Sequence, residues 1–298
     1  MRATNTDVEL SITLIPSLPH FERYVNDDRL SDIRLNNVAL RLNELRSSFE
    51  KIRALGKETR PLWFDFKGRQ PRVVRAWAVG ETPEESHLEV LLNHPVRVPT
   101  PVVALFKAES DPAVVARLED GGRRLVFTNG KEDGPYNDVR KGESIHMRHP
   151  EFRVLGRVYV TTERRKIALA REFGYDKFYL SFVEKVSDDN GFCRLLARAD
   201  LANAAKGSLP ETISSMRDMD AAIEKVGRDV ELRLKIETPA GLRFVANEWK
   251  PRKNVHLVAA CGDMYVELER ADHIFAALKL IIEKDPEAQL ASRIFLSR

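Results

Sequence analysis

Cysteine is scarce in this chain: Cys193 and Cys261 are the only two among 298 residues. Nothing therefore implies a disulfide framework or a cysteine-based zinc site, and the composition fits a reducing, cytoplasmic compartment. No apolar run reaches the roughly 20 residues that span a bilayer. Residues 1–9 are polar and of mixed charge, without the basic-then-apolar layout of a signal peptide. Neither charge sign dominates: 48 Lys and Arg face 45 Asp and Glu, for a net charge of +3. That balance gives no argument for a nucleic-acid or membrane partner. Low-complexity tracts, fixed-period repeats and a P-loop-type glycine motif are all missing. The seven histidines are scattered, and His146 and His149 read as surface histidines rather than zinc ligands.

What is present is a chain 43% hydrophobic, enough for one large domain or a domain carrying an insert. Strand-like and helical runs alternate from the start. Leu10–Ile15 reads as a strand, Phe21–Leu30 as a short helix, and Asp32–Leu35 as a second strand. Val38–Leu55 has helical periodicity in Leu42, Leu45, Phe49 and Ile52, with Gly56 as its stop. Pro61–Phe66 reads as a third strand. Three strand–helix units in order predict an α/β fold with a parallel sheet.

The pattern changes between residues 69 and 156. Short alternating runs, Val73–Val79, Leu88–Leu92, Val102–Lys107 and Arg124–Phe127, are separated by Pro and Gly clusters. This predicts a small β-rich insert. A helix over Thr162–Phe173, a strand over Phe178–Val183 and a long, partly helical stretch over 188–227 follow. Strands are then expected at 231–237 and 255–261, a helix at Ala271–Ile282 and a last strand at Leu290–Leu296. The expectation is a (β/α)8-type TIM barrel in two parts, residues 1–68 and 157–298, with a lid-like insert at 69–156. Seven barrel strands are legible, and the eighth is expected to be lacking.

Two strand ends stand out. One run finishes on Lys235-Ile236-Glu237, and twenty-six residues beyond Glu237 another finishes on Gly262-Asp263. In a parallel barrel, consecutive strands place their C-terminal ends on one rim. Two carboxylates there suit a hard divalent cation. Lys235 and Glu237, two apart, share a strand face. A lysine on that face is costly unless paired, or unless it serves to stabilise developing charge.

With these residues in view the chain resembles the pyruvate kinase family, within the group of phosphoenolpyruvate- and pyruvate-using barrels. Thr13-Leu14-Ile15-Pro16-Ser17 resembles the family's first strand end, and Ile33-Arg34-Leu35-Asn36 its second. Asp65-Phe66-Lys67-Gly68 followed by Arg72 resembles Asp-Thr-Lys-Gly-Pro-Glu-Ile-Arg. Ser181-Phe182-Val183-Glu184-Lys185 resembles Ser-Phe-Val-Arg-Lys. Lys235-Ile236-Glu237 and Gly262-Asp263 resemble Lys-Ile-Glu and Arg-Gly-Asp. The insert falls where the family carries its mobile lid.

The resemblance implies metal-dependent phosphoryl transfer between phosphoenolpyruvate and ADP, or pyruvate and ATP. Glu237 and Asp263 would hold Mg²⁺ or Mn²⁺. Lys235 and Arg34 would stabilise the transferring phosphoryl group, with Gly262 and Ser292 against the substrate. Asn36 and Asp65 would lie near a K⁺ site, and Lys67 and Arg72 near the nucleotide. Departures are equally plain: Phe66 replaces threonine, Val38-Ala39-Leu40 replaces Ser-His-Gly, Gln70 replaces glutamate and Cys261 replaces arginine. The eroded cation site admits an alternative, a metal-dependent aldolase or lyase working through a pyruvate enolate. A non-catalytic relative is a third reading, in which the open edges at Leu10–Ile15 and Leu290–Leu296 are covered by a partner chain or a second copy.

Overall fold

β-Branched and aromatic runs bounded by Pro, Gly or Asn fold into strands, and the leucine-periodic runs fold into helices. The computed structural model describes residues 11–14, 19, 21–36, 40–54, 61–80, 86–106, 111–128, 139–156, 159–185, 188, 191–197, 229–270 and 272–291. Strands are β1 (Ser11–Leu14), β2 (Asp32–Asn36), β3 (Leu62–Lys67), β4 (Val73–Val79), β5 (His87–Leu92), β6 (Val96–Arg97), β7 (Val102–Phe106) and β8 (Asp111–Glu119). They continue as β9 (Arg124–Phe127), β10 (Ile145–His146), β11 (Arg153–Val154), β12 (Lys177–Ser181), β13 (Glu231–Ile236), β14 (Val255–Ala260) and β15 (Gln289–Ala291). Helices are α1 (Phe21–Val25), α2 (Leu42–Ala54), α3 (Thr161–Glu172), α4 (Pro239–Asn247), α5 (Cys261–Glu267) and α6 (His273–Lys284).

A seven-stranded parallel sheet runs in the order β1-β2-β3-β12-β13-β14-β15. A six-stranded antiparallel sheet runs β10-β7-β8-β9-β5-β4, and β11 pairs with β6. The fold is thus mixed α/β, and among the described residues the parallel sheet has seven strands rather than eight. No described helix is long and apolar enough to cross a membrane.

The chain divides into two compact units. Met1–Phe66, Thr161–Tyr179 and Cys193–Leu232 form the first; Lys67–Val160, Leu180–Phe192 and Arg233–Arg298 form the second. In the first unit, β1 pairs in parallel with β2, and β2 with β3. Phe49, predicted on the apolar stripe of α2, is fully buried and meets Phe64 edge-on at 5.0 Å and Tyr175 at 4.8 Å. Helix α1 stops at Val25, short of the predicted Leu30. Asp27 Oδ1 accepts from the Arg29 backbone N–H at 3.1 Å, a local bond that competes with helical continuation. Helix α2 begins at Leu42 rather than Val38, where the Glu44 side chain accepts from the Arg41 N–H at 2.7 Å.

In the second unit the antiparallel sheet packs Val90, Leu92, Ala104, Phe106, Val115 and Leu125 into a fully buried core. The 3₁₀ turn Asp120–Gly122 lies against β6 so closely that a Cβ on Gly122 would fall 2.0 Å from the Val96 carbonyl oxygen. Helix α4 starts on Thr238, whose hydroxyl accepts from the Gly241 N–H at 3.0 Å, with Pro239 in the first turn. Periodicity gave no sign of α4 or α5. The strand expected to end at Asp263 stops at Ala260, and Cys261-Gly262-Asp263 opens α5 instead. Aspartate in a first helical turn is favoured by the exposed N–H groups there. The expected strand Leu290–Leu296 appears as Gln289–Ala291, its remainder lying outside the described residues.

Candidate functional site

The second unit gathers Lys67, Ser181, Lys235, Glu237 and Asp263. Lys235 is next to last in β13 and Glu237 follows its final residue, so the period-2 geometry of an extended chain sends both side chains the same way. Lys235 Nζ lies 2.5 Å from Glu237 Oε1, and the two side chains are 5% and 0% exposed. The other Glu237 oxygen, Oε2, accepts from the Phe182 backbone N–H at 2.6 Å. Phe182 has φ +57°, a left-handed conformation rare for a bulky residue, which turns its N–H onto the carboxylate. Ser181 Oγ accepts from both Lys235 Nζ at 3.2 Å and Lys67 Nζ at 3.0 Å.

The electrostatics follow from burial and from two lysines facing two carboxyls. Burial raises the Glu237 carboxyl, Lys235 opposes and Asp263 reinforces, leaving it at about 7. Burial also acts to raise Asp263. The charges of Lys235 and Lys67, a hydrogen bond with Glu237 and the charge of His146 outweigh it and bring Asp263 to about 2. Two carboxyls in contact avoid carrying two full charges by keeping one proton between them. Gly262, half-buried, precedes Asp263 in the first turn of α5.

A second chain of polar contacts ties the β-rich segment to α5. His146 Nδ1 lies 2.5 Å from Glu267 Oε1, and His146 Nε2 lies 3.1 Å from Ser144 Oγ. His146 is 1% exposed. It is therefore not a surface histidine: β10 turns it inward, where Glu267 and Ser144 satisfy both ring nitrogens. His149 is half-buried and its Nδ1 accepts from the Glu151 N–H at 3.1 Å. Glu184 accepts from Thr238 Oγ1 at 2.9 Å, and its carboxyl is raised chiefly by burial. Arg69 Nη2 lies 3.2 Å from buried Asp188.

The remaining expected residues are distributed as follows. In the first unit, Arg34 donates from Nε to Thr13 Oγ1 at 2.8 Å, lies 3.6 Å from Asp65 and stands over the Tyr179 ring at 5.5 Å. Asp65, expected near a monovalent cation, is buried and has this guanidinium beside it. Asn36 is half-buried and in register with Asp65. In the second unit, the Arg72 guanidinium donates to Gly142 O at 2.5 Å and to Gln70 Oε1. Those bonds engage the guanidinium with Gly142, seventy residues on, and with Gln70, two residues before it. Ser292 lies outside the described residues.

Ser181 and the Phe182 N–H were not singled out by sequence. Only their place in the Ser-Phe-Val-Glu-Lys run marked them. His146 and Glu267 carried no sequence signal, since 121 residues separate them. No group of three or more His, Cys, Asp or Glu is gathered for a metal among the described residues. No family model matches the chain, and no curated protein matches it. The likeness to pyruvate kinases thus rests on the short strand-end motifs alone.

Proposed function

We propose that this chain is a divalent-metal-dependent enzyme acting on phosphoenolpyruvate or pyruvate, of pyruvate kinase-like type. The observation that supports it is a buried lysine in contact with a buried glutamate, with a second carboxyl group, that of Asp263, acting on the same glutamate. Such an arrangement is expensive in a protein interior and is more readily explained by chemistry than by stability. The donor set suits Mg²⁺ or Mn²⁺, which needs only one or two carboxylates and keeps its remaining positions for water and substrate. Glu237 and Asp263 would hold the ion in place of the proton they share. When bound, the ion supplies Lewis-acid polarisation of a substrate oxygen.

The chain's own residues do the rest. Lys235, held by Glu237 and Ser181, offers a fixed positive charge to an enolate or phosphoryl oxygen. Lys67 adds a second through the same serine. Ser181 aligns both ammonium groups, and the Phe182 N–H fixes the Glu237 carboxylate. The half-buried setting of Asp263 and full burial of Glu237 limit competing water.

An enolate-forming aldolase or lyase is the second reading. It is favoured by the Arg72 guanidinium being engaged by Gly142 and Gln70, which leaves the nucleotide side less well supported than the pyruvate side. One experiment separates them. The protein is incubated with pyruvate and Mn²⁺ in D₂O, and separately with phosphoenolpyruvate, Mg²⁺ and ADP. Metal-dependent methyl exchange without nucleotide selects enolate chemistry; ADP-dependent pyruvate release selects the kinase. Neither reaction above the level of a Glu237→Ala control removes the proposal.

A further inference from the structure

The second unit contains a cavity of about 490 Å³. It adjoins the Lys235–Glu237–Asp263 cluster through two residues. Phe182 lines it while its N–H holds the Glu237 carboxylate, and Thr238 lines it directly after Glu237 in the chain. The volume is within the range of drug-sized sites and is far more than a three-carbon acid needs. It leaves space for a second reactant.

The lining narrows what that reactant is. Arg69 is paired with buried Asp188. The remaining charges are three arginines, Arg148, Arg153 and Arg243, and three glutamates, Glu184, Glu267 and Glu269. Neither sign is in excess, so a nucleotide carrying several negative charges finds no attracting field. An uncharged molecule bearing hydroxyl groups finds both donors and acceptors. Met147, Phe152 and Val154 give its carbon skeleton an apolar wall.

Glu184 is the group on this lining that is set up to transfer a proton. Thr238 Oγ1 accepts from the Gly241 N–H at 3.0 Å and donates its own proton to Glu184 Oε1 at 2.9 Å. Oε1 is thereby an acceptor, and a proton carried by the carboxyl sits on Oε2. Among the described residues no hydrogen bond engages Oε2. Burial raises this carboxyl, and the charges of Asp188 and Glu267 raise it further. The Thr238 bond and the charge of Arg69 oppose them without cancelling them. A carboxyl in this setting keeps its proton to higher pH than an ordinary glutamate, as a proton donor must.

We propose that the cavity binds an uncharged hydroxyaldehyde as the electrophile for a pyruvate enolate, and that Glu184 Oε2 protonates the carbonyl oxygen under attack, a role that rests on the enolate reading above. The enolate carbon supplies the electron pair of the new C–C bond, and the pyruvate carbonyl re-forms. The π pair of the aldehyde moves onto its oxygen, which takes the proton from Oε2. Glu184 is left as a carboxylate and regains a proton from water. The methyl proton lost in forming the enolate goes to water, so the product is the sum of pyruvate and aldehyde.

The protein is incubated with pyruvate and Mn²⁺ in D₂O, and in H₂O with glyceraldehyde, glyceraldehyde 3-phosphate or propanal added. Methyl exchange reports the enolate, and mass spectrometry reads the condensation product. Condensation with glyceraldehyde is expected, at least tenfold faster than with its phosphate or with propanal. The ratio of condensation to exchange should fall at least tenfold in Glu184→Gln, whose amide oxygen can still accept from Thr238. Glu184→Asp should recover part of it. In the wild type the same ratio should fall as pH rises, because the donor is then ionised. In EDTA, the infrared difference spectrum between wild type and Glu184→Gln should show a carboxylic-acid band above pH 4.5, where an ordinary glutamate is ionised. Absence of methyl exchange in the wild type removes the enolate reading and this role with it. Exchange without condensation overturns the role of the cavity and Glu184 alone. So does a ratio unchanged in Glu184→Gln, a ratio flat with pH, a preference for the phosphate, or a missing carboxylic-acid band.

Discussion

The ammonium of Lys235 and the carboxylate of Glu237 meet at 2.5 Å with almost no access to solvent. A pair so placed has given up its hydration, and its attraction recovers that loss only while both partners remain. The consequences can be measured separately.

Lys235→Met leaves Glu237 buried beside Asp263 with its main counter-charge gone. A loss of about 3–5 kcal/mol is expected in urea unfolding, the range for breaking one side of a buried pair. Adding Glu237→Gln to Lys235→Met should restore more than half of it. If the double variant is as unstable as the single, the pair is not the source.

The shared proton should appear in the pH dependence of stability. The folded-state Glu237 carboxyl stands at about 7 against an ordinary 4.5, so the folded protein binds more protons in that window. Stability therefore falls as pH rises from about 4.5 through about 7. Asp263, at about 2 against 3.8, contributes stability above 3.8 that is lost as pH falls towards 2. Urea unfolding in EDTA should show the first slope in the wild-type chain and lose it in Glu237→Gln. Mn²⁺ should diminish it as well, by displacing the proton.

His146 links β10 to α5 through Glu267. His146→Gln should cost about 1–3 kcal/mol, the penalty for leaving a buried partner poorly satisfied. A double-mutant cycle with Glu267→Gln should give a coupling of at least ~0.5 kcal/mol, as for residues in direct contact. Additive effects would show that the contact carries no energy of its own.

Thr238 has two tasks, capping α4 and donating to Glu184. Thr238→Ala should destabilise by roughly 1–2 kcal/mol, while Thr238→Ser, which keeps the hydroxyl, should lose less than half as much. Equal losses in the two variants would assign the effect to the methyl group.

Much of this was readable from residue order. The apolar stripe of α2, the strand runs Val73–Val79, Leu88–Leu92 and Arg124–Phe127, and the approach of Lys235 to Glu237 all follow from periods of 3.6 and 2. The second carboxylate was found for a partly wrong reason: Asp263 was expected at a strand end and stands in a helix. A glycine after a strand signals a change of direction without saying which. Strand β8 went unread because Pro112, at its second position, argues against a strand when partners are unknown. His146 was misread as a surface histidine because burial is a property of the packed sheet, and nothing local to Ser144-Ile145-His146 distinguishes an inward strand end from an outward one. The positive φ of Phe182 was likewise hidden, since its sequence is that of an ordinary strand exit.

The Gly122 contact has an outcome that reaches well beyond its own turn. Val96, whose carbonyl fills the space a side chain would need, is in register with Val154, and Arg97 with Arg153. Arg153 and Val154 are walls of the cavity. The β6–β11 ribbon therefore joins two walls of the cavity to a position where a single methyl group has no room. A side chain at position 122 would have to displace the Val96 backbone, and with it the strand paired to Arg153 and Val154, so the shape of that wall is fixed by a residue outside it.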